Sequence, residues 1–279
     1  MKIIEVLQNA IQELNNNKIS DPIMKSRILL ANILKVTKEY LVINSEQEIS
    51  IETINKFNEG INKLIKGEPL QYITHHQEFM RLDFYVDENV LIPRQDTEIL
   101  VEEVINSCDK NKDYKILDLC TGSGAIGVSL AKYIQNSYLT CTDISSIALE
   151  IAKKNAKENN IENIEFIQSD MFENINKKFD IIVSNPPYIA KSVIKTLDKE
   201  VQKEPSIALD GGIDGLDFYK IIANNAHTYL QKNGLIFLEI GYDQKEEVSN
   251  ILETARKYTD IYSKKDLYDN DRIVVATKI

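Results

Sequence analysis

A chain of 279 residues, 43% hydrophobic and 27% charged, is long enough for two modest domains and has the balance of an ordinary soluble globular protein. Its net charge of −10 is uneven: residues 1–95 hold 11 basic against 13 acidic side chains and the remainder 22 against 30, which argues against a polyphosphate backbone as the main ligand. No apolar run approaches the ~20 residues of a membrane span, no leader pattern opens the chain, and the three cysteines (Cys108, Cys120, Cys141) form no C-x-x-C pair, so a reducing, cytoplasmic location is expected.

In chain order, residues 1–70 read as a small helical bundle in the 3.6-residue period. Ile3, Ile4, Leu7, Ala10, Ile11 and Leu14 form one stripe. Asp21-Pro22 caps and starts a second helix with Ile23, Ile28, Leu29, Leu30, Ile33 and Leu34 on its apolar side. A third helix is expected from Ile51 to Lys66, stopped by Gly67. Residues 71–94 form a connector in which Glu78-Phe79-Met80 and Asp83-Phe84-Tyr85-Val86 read as a β-hairpin. A helix opens near Pro93–Glu98 and carries Ile99, Leu100, Val104 and Ile105.

Residues 95–279 alternate strands with helices. Strands are expected at 116–119, 138–142, 164–168, 180–184, 235–239, 261–264 and 272–277, with helices such as Ser146–Asn159 and Gly215–Gln231 between them. This alternation predicts an α/β doubly wound sheet, largely parallel. The last two strands are joined by too short a link for a parallel return and should pair antiparallel.

The first strand turns into a helix through Cys120-Thr121-Gly122-Ser123-Gly124-Ala125-Ile126-Gly127. Glycines are needed where the backbone must come close to a ligand at the carboxyl edge of a sheet. Asp143 ends the next strand, 19 residues after Gly124, where a carboxylate can accept from both hydroxyls of an adenosine ribose. The loop alone serves NAD or S-adenosylmethionine equally. Asp118 favours the methyl donor, since at the strand end it would attract a cationic amino group and repel a pyrophosphate. Asp170 and Met171 follow the third strand at the same edge, as candidate acceptor for an adenine amine and candidate packing surface for its ring. His75, His76 and His227 lack ligand spacing, so no metal is expected.

The fourth strand runs into Asn185-Pro186-Pro187-Tyr188. Two prolines fix the backbone and remove two donors, leaving carbonyl oxygens free to face a ligand. The Asn185 side-chain oxygen and the Pro186 carbonyl can accept both hydrogens of one NH2 group, with Tyr188 stacked on its plane. An amide or aromatic amine nitrogen is a poor nucleophile, so holding it in line is the effective contribution. Positioning can be worth about 7–11 kcal/mol, against about 0.5–1.5 for one hydrogen bond.

With these motifs placed, the chain resembles the release factor glutamine methyltransferases, the PrmC/HemK family. The resemblance rests on Gly67–Ile73, Val90–Glu98, the glycine loop, Asn185–Ile189, Glu204–Leu216 and Glu239-Ile240-Gly241, in that order. It implies a class I S-adenosylmethionine-dependent methyltransferase fold (Rossmann-like, last strand antiparallel) behind an N-terminal helical domain that grips a protein substrate. It also implies methylation of the glutamine in a Gly-Gly-Gln loop of peptide chain release factors, giving S-adenosylhomocysteine. Cys120 to Gly124, Asp143, Met171 and Asn185 would contact the donor, and Asn185 to Tyr188 would hold the amide. The sequence departs from the family pattern at Cys120, where glycine is usual, and at Met171, His75-His76 and Asp269-Asn270. An N6-adenine or N2-guanine nucleic-acid methyltransferase is the alternative that the tetrapeptide alone allows, and a non-catalytic nucleotide-binding module is the reading from another class. A monomer is expected.

Overall fold

The structure is a computed structural model describing residues 1–279, and it divides into two compact units. One comprises Met1–His76 together with Asp198–Lys203, and the other Gln77–Leu197 with Glu204–Ile279.

The first unit is helical: α1 (Ile3–Asn16), α2 (Pro22–Leu34), α3 (Lys38–Ile43), α4 (Ile51–Ile65) and α5 (Leu70–Thr74). Its core is built from the expected stripes, with Ile3, Leu14, Leu30, Phe57 and Leu64 fully buried. Ser50 caps α4 by accepting from the Thr53 amide, and Gly67 stops the chain beyond it at φ +82°. Two expectations for α2 are corrected. Asp21 sits at φ +49° and makes no side-chain cap, so only Pro22 marks the helix start. Ile23 is exposed, while Lys25 is buried because its ammonium donates to Glu200 at 2.5 Å and to Ser20 at 3.2 Å. That ion pair ties residues 198–203 to the helical unit. The helices α3 and α5 went unread, being too short for an apolar period to register.

The second unit opens with the hairpin β1 (Gln77–Phe79) and β2 (Leu82–Phe84), joined through Met80 and Arg81 at φ +50° and +58°. Two successive left-handed residues are what a two-residue hairpin turn demands. The helical unit thus runs on through His76, past the 70/71 boundary read from the sequence, and the hairpin belongs with the sheet. Next come α6 (Asp96–Asn106), β3 (Tyr114–Leu119), α7 (Ala125–Tyr133), β4 (Ser137–Asp143), α8 (Ser146–Glu158), β5 (Ile164–Gln168) and β6 (Phe179–Ser184). After these come α9 (Lys191–Ile194), α10 (Ser206–Leu209), α11 (Asp217–Tyr229), β7 (Leu230–Glu239), α12 (Lys245–Ala255), β8 (Tyr258–Lys265) and β9 (Asp271–Lys278).

The seven strands lie in the order β5-β4-β3-β6-β7-β9-β8. The pairs from β5 to β7 are parallel, and β9 runs antiparallel to both β7 and β8. Each face of the sheet has its own apolar core. One includes Leu100, Val128, Leu139 and Phe237; the other includes Leu117, Ile182, Tyr219 and Leu238. The sequence reading carried α11 to Gln231, whereas the chain passes from helix to strand at Leu230, which is buried and paired with Phe179 across an irregular register.

Candidate active site

At the carboxyl edge of the parallel strands a cavity of about 390 Å³ opens between the loops after β3, β4, β5 and β6. Of the residues expected at a donor site, Cys120, Gly122, Asp143, Asp170, Met171 and Asn185 line it, and Pro187 joins them. Strand register explains the convergence. Leu119 pairs with Thr142 and with Ser184, so the residues that follow in β3, β4 and β6 emerge side by side.

Asp143 is mostly buried and accepts from two backbone amides, Gly122 to Oδ2 and Ser145 to Oδ1, each at 2.9 Å. Burial raises its pKa, and the backbone donors act against that rise. Each carboxylate oxygen retains a second lone-pair direction, so the group can still accept from ligand hydroxyls.

Asp118 needs correction. Expected to face the donor's amino group, it is instead 0% exposed and absent from the cavity wall. Its Oδ2 accepts from the Thr121 hydroxyl at 2.6 Å and from the Gly127 amide at 3.0 Å, while Oδ1 has no partner. Burial pushes its pKa up to about 7. Asp118 therefore braces the glycine loop from beneath. Thr121, Ser123 and Gly124 also shape the loop without lining the cavity: the Thr121 amide donates to Thr142 O, the Gly124 amide to Thr121 O, and Ser123 O accepts from Asn155 Nδ2.

Cys120 adopts φ +59°, in the left-handed region that only glycine enters without a Cβ penalty. Its Sγ lies 3.9 Å from Sδ of Met171, which is itself at φ +47°.

Asn185 follows β6, and its Nδ2 donates to Oγ1 of Thr97 at 3.3 Å. Pro186 falls outside the cavity wall, and Tyr188 faces a separate groove of about 560 Å³ shared with Leu216, Gln244 and Arg272. Burial raises the Tyr188 phenol well above its ordinary value. The backbone of the tetrapeptide is clamped by the segment after α10. Ile189 N donates to Leu209 O at 3.0 Å and Gly211 N to Ile189 O at 2.9 Å, while Gln244 Nε2 donates to Tyr188 O at 3.0 Å.

Several contributors were missed as site residues. Asn89, Val90, Leu91, Ile207, Ala208, Phe218 and Ile221 also line the cavity, as do Thr142, Ile144, Ser145, Ala148 and Ser169 around the expected acids. Thr97, Gly211, Glu239 and Gln244 act on the tetrapeptide. Glu204–Leu216 stood out in the sequence only as part of a resemblance. Its glycines were the available physical signal, since a segment that packs directly on another backbone needs them.

The strand order, the glycine loop under the cavity and the antiparallel last strand together define a class I methyltransferase fold. A methyltransferase from Pyrococcus furiosus shares it, with a TM-score of 0.52 at 19% identity over 71% of this chain and 89% of that one. Residues 95–212 match the methyltransferase small domain and residues 5–74 the PrmC N-terminal domain. The release factor glutamine methyltransferase of Clostridium acetobutylicum is 42% identical across 100% of this chain and 99% of its own length. That of Moorella thermoacetica is 37% identical across 99% and 98%. The chain belongs to the release factor glutamine methyltransferase family.

Proposed function

We propose that this protein transfers a methyl group from S-adenosyl-L-methionine to the side-chain amide nitrogen (N5) of the glutamine in the Gly-Gly-Gln loop of peptide chain release factors. The observation that carries this reading is that Asn185 stands in the wall of the same cavity as Gly122 and Asp143, so that acceptor and donor meet at one edge of the sheet. The names of the full-length relatives supply the substrate.

The cavity residues fit the donor. Asp143 offers carboxylate acceptors for ribose hydroxyls, and Met171 and Phe218 offer apolar surface. When bound, S-adenosylmethionine supplies an electrophilic methyl on a sulfonium. Asn185 Oδ1 and the Pro186 carbonyl accept the two amide hydrogens, turning the nitrogen lone pair towards that methyl. The donor would supply the methyl and leave as S-adenosylhomocysteine, while Asn185 and Pro186 would hold the amide in line and the proton lost from its nitrogen would pass to solvent water. Prealignment supplies most of the effect, so no strong base is required. The helical unit, which contributes no residue to the cavity, is assigned to recognition of the release factor. The cytoplasm is the proposed location; no helix is long and apolar enough to cross a membrane.

The test is the mass of release factor peptides after incubation with this protein and S-adenosylmethionine. One added methyl on the Gly-Gly-Gln glutamine is expected. Donor binding without that methyl, or methyl transfer to adenine or guanine instead, would overturn the reading.

A further inference from the structure

The proposed grip has a requirement that Asn185 cannot meet alone. A primary amide has two faces, and only the oxygen can accept from the substrate's NH2 group; rotation by 180° would present a second donor there and repel it. Something must hold the Nδ2 side. In the structure Nδ2 donates to the Thr97 hydroxyl, and Thr97 is 4% exposed in the first turn of α6. A hydroxyl that accepts one hydrogen still has its own to give.

Next to it lies Glu239, the last residue of β7 and 2% exposed. The parallel register pairs Ser184 with Leu238, so Asn185 and Glu239 follow on adjacent strands. Oε2 of Glu239 has no hydrogen-bond partner. Thr97 and Asn185 are the neighbouring side chains with a hydrogen to offer this carboxyl. Arg272 and Asp96 are the charged groups around it, paired with each other at 3.2 Å, and Tyr188 and Tyr219 feel its charge. The Tyr219 hydroxyl donates to the Glu239 main-chain oxygen at 2.8 Å, fixing the end of the strand. A buried carboxylate with no strong ion pair of its own is costly and calls for an explanation.

We infer that Glu239 is a positioning residue that sets the polarity of Asn185. It is the terminal acceptor of a relay in which Asn185 Nδ2 donates to Thr97 and Thr97 donates to Glu239, so that Asn185 Oδ1 faces the substrate amide. Glu239 touches neither substrate nor donor. The inference rests on the proposed role of Asn185 and adds the device that makes its amide an acceptor rather than a donor.

The test measures methylation of a purified release factor, with binding of S-adenosylmethionine by calorimetry as control. Asn185→Ala should abolish transfer; if it does not, the proposed function of the tetrapeptide fails first. Glu239→Ala should lower kcat at least 30-fold with donor affinity within twofold, whereas Glu239→Gln, whose carbonyl can still accept, should stay within about fivefold of the parent. A polarity swap separates this role from a structural one. Asn185→Asp sets two carboxylates on one hydroxyl and should be nearly inactive. Adding Glu239→Gln gives the relay a donor at the far end and should recover at least tenfold. Parental turnover by a folded Glu239→Ala protein would overturn the inference, as would equal losses for Ala and Gln or a swap that recovers nothing. Where Glu239→Ala does not fold, the Gln variant and the swap decide alone.

Discussion

Gly211 packs so closely on Pro187 that a β-carbon at position 211 would stand 2.8 Å from the Pro187 carbonyl oxygen and 2.8 Å from Tyr188 Cα. Both obstacles are backbone and neither can swing aside. Gly211→Ala should therefore displace the tetrapeptide rather than be absorbed. Overpacking of this kind costs about 1–3 kcal/mol, and misplacement by about 1 Å can cost on the order of 100-fold in rate. A thermal melt lowered by several degrees, with methyl transfer reduced far more than donor binding, is the expected pair of results.

In the proposed donor site Asp143 would serve twice, as the anchor of the Gly122 and Ser145 amides and as an acceptor left over for the ribose. Asp143→Ala should weaken S-adenosylmethionine binding by at least 30-fold in calorimetry. Asp143→Asn keeps one good acceptor and should fall between the two. Equal affinity in all three proteins would remove Asp143 from the donor site.

Asp118 and Glu239 are fully buried acids, and burial raises each folded-state pKa to about 7. Their unfolded values are those of ordinary carboxyls, near 4. Between those limits the folded protein holds protons that the unfolded chain has released, so the contribution of these groups is complete below about pH 4 and is lost as pH rises through 7. Glu239→Gln removes one of the two. Its denaturant midpoint relative to the parent should therefore improve on going from pH 5 to pH 8, while a flat difference would mean that Glu239 does not titrate in this way.

In the helical unit, Glu200 holds the buried Lys25. Removing only the carboxylate strands a cation in an apolar setting, whereas Lys25→Met removes the charge and keeps the volume. With Glu200 about one-third exposed, Glu200→Ala should cost about 1–2 kcal/mol, discounted for solvent screening. Lys25→Met should cost less. Limited proteolysis within residues 198–203 should accelerate in both variants, since each releases that segment from α2.

Much of this molecule is legible in the sequence because the signals are local. The sheet strands announce themselves as apolar runs, and Ile164–Gln168 agrees to the residue. Asn185, Gly122 and Asp143 are legible because each stands at the end of such a run. What escaped depended on tertiary placement. Thr97 is an ordinary helix-start threonine until β7 brings Glu239 beside it. Asp118 looks like a ligand group because its neighbours in sequence are, yet its carboxyl turns inward to Thr121 and Gly127. Lys25 reads as surface until residues 198–203, far along the chain, supply Glu200. Tyr188, expected as a ring stacked on the substrate, stands in the wall of the neighbouring groove with Arg272 and Gln244.

The setting of Asn185 is assembled from Thr97, Gly211, Glu239 and, through the pair with Asp96, Arg272 on the last strand. Those positions span most of the chain, and contacts between such distant segments form late because their loop closure is costly. A chain still being synthesised, or truncated before β9, can build the helical unit and several of the parallel strands yet lack the frame that orients the amide. Competence for methyl transfer would then appear in one step at the end of folding, so an incomplete copy could bind but could not modify its partner.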